Sequence, residues 1–137
     1  MAHLIKIITH PLVIILLFCG IIISGEETGG FYIFYILLGL PHFVLHSLLG
    51  ILGIISLLVT HYNKKIKLSF MRVLGACFMI SSLLYFFLQP NGSYNYGTFH
   101  QILPLTILIV FGILIAVFIF FNTYTLLNNK EDKGLVA

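Results

Sequence analysis

The sequence predicts an all-α, polytopic membrane protein: four transmembrane helices in an antiparallel bundle, the second broken or kinked at Gly39-Pro41. Three observations lead there. Hydrophobic residues make up 60% of the chain and charged residues 8%, against roughly 25% charged in an ordinary soluble domain. Four apolar runs, Leu4–Ser24, Phe31–Thr60, Leu68–Gln89 and Ile102–Thr125, each reach the roughly 20 residues a helix needs to cross about 30 Å of hydrocarbon. The alternating polarity of a membrane barrel is absent, so main-chain hydrogen bonds are expected to close inside helices. Residues 1–127 then form one transmembrane domain, and 128–137 a short polar cytoplasmic tail that frays.

The charges assign the sides. All seven Lys and Arg lie at the N-terminus, around the middle loop or at the C-terminus: Lys6, then Lys64, Lys65, Lys67 and Arg72, then Lys130 and Lys133. The positive-inside rule makes those three regions cytoplasmic, so both termini are expected inside and the loops Gly25–Gly30 and Pro90–Phe99 outside. No organelle address is present, so the expected location is a bacterial-type inner membrane. The bias also argues against small four-helix drug exporters that insert both ways. Those need nearly balanced charge and a carboxylate within the first helix, and this first run has none. The net charge of +3 reads as cytoplasmic flank, with attraction for anionic lipid at Lys64-Lys65-Ile66-Lys67. Expected partners are therefore the lipid bilayer and either further copies of the chain or a larger membrane complex, with no nucleic acid.

The first run follows Lys6, as a secretory signal would. It is too long for one, and Ile23-Ser24-Gly25 is a poor cleavage site, so it is assigned as a helix with His10-Pro11 near its cytoplasmic end. Glu26 and Glu27 stand in the short glycine-rich loop that follows.

The second run has thirty residues without Asp, Glu, Lys or Arg. As one helix it would be about 45 Å long, too long to stand upright in the bilayer core. Gly39 and Pro41 suggest a break. Phe31–Leu40 would lie at the outer interface, and Pro41 would be the first helical residue of the true span, Pro41–Thr60. Below it, Ser47, Gly50, Gly53 and Ser56 form a face of small residues that admits a close neighbour, internal or from another subunit.

The short hairpin His61–Lys67 makes the second and third helices antiparallel neighbours, with His61 solvated. Arg72 can snorkel to the headgroups. Gly75, Ala76, Ser81 and Ser82 give the third helix a packing face of its own. Gln89-Pro90-Asn91-Gly92-Ser93 is a strong stop. His100 leads into the fourth run, which carries the small pair Gly112 and Ala116.

Cys19 and Cys77 sit in separate apolar runs and read as small core residues, not as a redox pair. The one cluster of ligand-type residues is His42, His46, His100, Glu26 and Glu27, expected near the outer face. On one helix, His42 and His46 would present both rings to one side, which suits zinc, copper or iron. Haem between His42 or His46 and His100 would need the break at Pro41. A transition metal or haem is thus the cofactor class these residues would suit. The sequence holds no serine–histidine–carboxylate set, phosphate loop or dinucleotide fingerprint. It favours a non-enzymatic oligomeric pore or carrier, or an accessory subunit. The alternative is a metal- or haem-binding redox-type protein.

Overall fold

The computed structural model describes residues 9–25, 29–63, 69–89 and 95–134. The element order is α1 (Pro11–Cys19), β1 (Ile22–Ser24), β2 (Gly29–Phe31), α2 (Tyr32–Gly39), a 3-10 turn (Leu40–His42), α3 (Leu45–Tyr62), α4 (Ser69–Leu88), α5 (Gly97–His100) and α6 (Ile102–Gly134). Among the described residues three helices are long and apolar enough to cross a membrane: Leu45–Tyr62, Ser69–Leu88 and Ile102–Asn128.

The first apolar run does not form the single helix expected over Leu4–Ser24. Pro11 occupies the start of α1, with His10 extended before it. After nine residues the helix stops at Cys19, where the Gly20 amide still donates to the Leu16 carbonyl at 2.9 Å. Ile21-Ile22-Ile23 follows. Branching at Cβ restricts these side chains and favours extended backbone. Strand β1 pairs antiparallel with β2, Ile22 opposite Phe31 and Ser24 opposite Gly29. Groups outside the ribbon close more of its main-chain bonds. The Tyr32 amide donates to the Ile21 carbonyl at 2.7 Å, and the Ser24 amide donates to Thr98 Oγ1 at 2.9 Å. Ile21 and Ile23 are fully buried. The described chain is mostly helical, as expected, with this one short hairpin as the exception.

The second run is interrupted, and the interruption has a defined form. Proline at 41 has no amide to continue the helical hydrogen-bond ladder, yet Leu40 before it keeps helical backbone at φ -60, ψ -48, and the chain leaves the helix only after His42. Helix α2 gives way to the 3-10 turn, and Phe43 adopts φ 53, the left-handed region. The Val44 amide then reaches back to the Gly39 carbonyl at 3.1 Å, and the Phe43 amide to the Leu40 carbonyl at 3.0 Å. This is the Schellman closure, which ordinarily carries glycine where Phe43 stands. Val44 is extended and caps α3, its carbonyl accepting from the Ser47 and Leu48 amides. The helix therefore restarts at Leu45, not at Pro41 as the proline alone suggested.

Helices α3 and α4 pack antiparallel along their small residues. A Cβ at Gly50 would stand 3.0 Å from Ser82 Oγ. One at Gly53 would stand 2.9 Å from the Gly75 carbonyl oxygen, and one at Gly75 would stand 2.9 Å from Ser56 Cβ. At the far end, Arg72 donates from its guanidinium to the Thr60 carbonyl at 3.3 Å. The small face of α3 thus finds its partner within the same chain. Helix α6 contributes Phe111, Ile115 and Phe118 to the common core, which also holds Ile14, Phe18, Tyr32, Ile36, Met79 and Phe86. It runs past residue 128 to Gly134, beyond the point where the polar composition suggested a frayed tail.

Candidate polar centre beneath the helix break

Helices with few charges leave few groups able to do chemistry, so a cluster of buried polar side chains defines the candidate site. Tyr32, His46, Ser47 and Ser82 gather where α2 ends, α3 begins and α4 passes, apart from the other buried polar residues such as Ser24, Ser56, Thr98 and Asn122. The Tyr32 hydroxyl and Ser82 Oγ are 2.8 Å apart, and Ser82 Oγ donates to the His46 carbonyl at 2.6 Å. Tyr32, Ser82 and Ser47 are fully buried, and His46 is 7% exposed. The His46 ring packs edge-on against Phe86 at 5.1 Å between centroids and lies 6.3 Å from the Tyr32 ring.

Gly39 makes this closure feasible. A side chain there would overlap Ser47 Oγ and stand 3.4 Å from His46 Nε2. The end of α2 therefore settles directly over His46 and Ser47. The Tyr35 main chain lies beside the imidazole, yet no contact of either ring nitrogen meets hydrogen-bond geometry, and Ser47 Oγ is unpartnered as well. A buried polar atom without a partner costs about 1–3 kcal/mol. His46 and Ser47, beside the satisfied Tyr32–Ser82 pair, thus form a polar patch in apolar surroundings.

The five residues singled out from the sequence fare differently. His46 is at the centre of this patch. His42, in the 3-10 turn, is exposed. The left-handed Phe43 and extended Val44 separate the two, so they do not share one face of a continuous helix. His100 ends α5 and is exposed. Glu26 and Glu27 lie outside the described residues. Among the described residues no group of three or more His, Cys, Asp or Glu side chains is placed to hold a metal ion.

Two features escaped sequence reasoning. Tyr32 was expected at an interface and Ser82 on a packing face, but they bond to each other. A hydroxyl in a charge-free run, and a serine opposite a glycine-rich face, were the available signals. The second feature lies at the opposite end of α3. There the His10 and His61 rings meet with centroids 4.9 Å apart at 70°, and Tyr62 stacks edge-on against His61 at 5.2 Å.

No family model, curated protein or solved structure matches this chain.

Proposed function

We propose that the chain is a non-enzymatic integral membrane protein with four antiparallel crossings, working as an oligomeric carrier or pore, or as an accessory subunit of a membrane complex. The polar centre at His46 and Ser47 is its point of contact with a small polar or ionic solute. The observation that carries this is the set of unpartnered buried atoms on His46 and Ser47 beneath an interrupted helix. Polar groups inside a membrane are costly and mark solute or ion paths, and discontinuous helices are where carriers build such sites. Proton flux into liposomes carrying a pH-reporting dye tests it, as do potassium and chloride gradients. The parent protein conducts above empty vesicles, and His46→Ala and Ser47→Ala lose that flux. A silent parent, or flux unchanged in both variants, removes the conducting role.

Four crossings gain support from simple lengths. Helix α1 rises about 13 Å, and the four residues from Ile21 to Ser24 add at most about 13 Å. Together they approach the thickness of a hydrocarbon core. They run from the His61 end of α3 to the Thr98 end of α6. Non-helical backbone is tolerated at such depth only when protein covers and bonds it, and β1 meets both conditions. From the seven-to-none charge bias we further propose that both termini lie in the cytoplasm, in a bacterial-type inner membrane. Accessibility of terminal tags in sealed spheroplasts tests the orientation.

The metal or haem reading keeps one supporting observation, the buried His46 imidazole with no side-chain partner. Its other ligands would come from His42, His100, Glu26 or Glu27, near the outer face. A folded preparation without colour or metal would end it.

A further inference from the structure

We propose that His10 and His61 form a two-histidine site for a divalent transition cation of the zinc, copper or nickel class, at the end of α3 away from the helix break. The two residues come from different elements, the start of α1 and the last turn of α3. Nothing in the sequence spacing brings them together, yet their rings lie 4.9 Å apart. A tetrahedral cation holds each imidazole nitrogen at about 2.0–2.1 Å, which puts two ligating ring centroids roughly 5 Å apart. The observed separation matches that of a shared cation once the two rings, now edge to face at 70°, turn one nitrogen each toward it.

Both rings are half-buried. The rings are therefore partly accessible, so water can complete the coordination. Imidazole donors select zinc, copper and nickel over magnesium and calcium, which prefer oxygen. Tyr62 backs the His61 ring edge-on at 5.2 Å and is itself 83% exposed, so it limits the ring's swing without closing the entrance. A bound cation would tie the entrance of α1 to the exit of α3. This site is independent of the polar centre around His46.

The test uses full-length protein purified without a histidine tag. Zinc binding is measured by equilibrium dialysis, and copper(II) spectra count the nitrogen ligands. The expected result is one cation per chain, two imidazole nitrogens on copper, and affinity at least about tenfold lower in His10→Ala and in His61→Ala. Magnesium does not compete. Thermal unfolding without metal shows whether each variant is folded, and the copper spectrum of the parent needs no variant. A parent that binds no zinc, a copper spectrum without two imidazole nitrogens, or binding that survives both substitutions would overturn the proposal. Binding lost only in His46→Ala would overturn it in favour of the centre under the break.

Discussion

Replacing Gly53 by alanine probes the contact that holds α3 to α4. A Cβ at this position would stand 2.7 Å from Met79 Cγ, 2.9 Å from the Gly75 carbonyl oxygen and 3.2 Å from the Met79 amide nitrogen. Met79 Cγ belongs to a flexible side chain and can turn away. The other two atoms are main chain of a helix and cannot. The helices must then separate by several tenths of an ångström along a seam that also includes Gly50, Ser56, Gly75 and Ser82. Overpacking of this kind costs about 1–3 kcal/mol. Alanine returns about 1 kcal/mol through its better helix propensity. With a main-chain obstacle the cost falls toward the upper end, leaving a net loss of about 1–2 kcal/mol. Gly112→Ala is the matched control, because a Cβ there meets nothing within 4 Å. It keeps the propensity gain of about 1 kcal/mol without the clash. The assay is reversible unfolding in mixed micelles titrated with denaturing detergent, followed by circular dichroism. Gly53→Ala unfolds earlier than the parent and Gly112→Ala later. Equal midpoints for Gly53→Ala and the parent, or the reverse order, would refute main-chain contact as the basis of this pair.

Three further outcomes follow from single hydrogen bonds or dihedral angles. Ser82→Ala strands the Tyr32 hydroxyl and removes the donor to the His46 carbonyl, costing about 1–3 kcal/mol in the same unfolding titration. Thr98→Val keeps the shape of the side chain but leaves the Ser24 amide without its acceptor. It should cost a similar amount and speed hydrogen exchange at Ser24, while an unchanged exchange rate would count against the bond. Phe43→Gly removes a left-handed strain of roughly 1–2 kcal/mol from a side chain that is 79% exposed. It raises the unfolding midpoint, and a lowered one would mean that Phe43 makes contacts that matter more than its backbone.

Much of the helical plan was legible because bilayer thickness and residue counts constrain it directly. Ser69–Leu88 falls almost where the apolar run Leu68–Gln89 put it, and Pro41 marked the interruption. The restart at Leu45 was harder to read. It depends on a Schellman closure through a phenylalanine, where glycine would have been the signal. The first run misled because hydropathy does not distinguish a helix from a buried strand. Ile21-Ile22-Ile23 becomes extended only because β2 and Thr98 supply hydrogen-bond partners, and Thr98 is far away in sequence. The site was half legible. His46 stood out as a histidine in a charge-free stretch, but its surroundings depend on how α2 folds back over α3. The meeting of His10 and His61 is a property of helix packing alone, so no local pattern announced it.

The bond between Ser24 and Thr98 spans 74 positions of sequence, and that has a consequence for biogenesis. While the ribosome is still working on the middle of the chain, the Ser24 amide has no mate, although everything upstream of it has already emerged. The stretch from Pro11 to Ser24 cannot reach its final form until Thr98 arrives. A nascent chain halted before residue 98 would hold that stretch in some other state, such as helical, shielded by a chaperone or waiting at the insertion machinery.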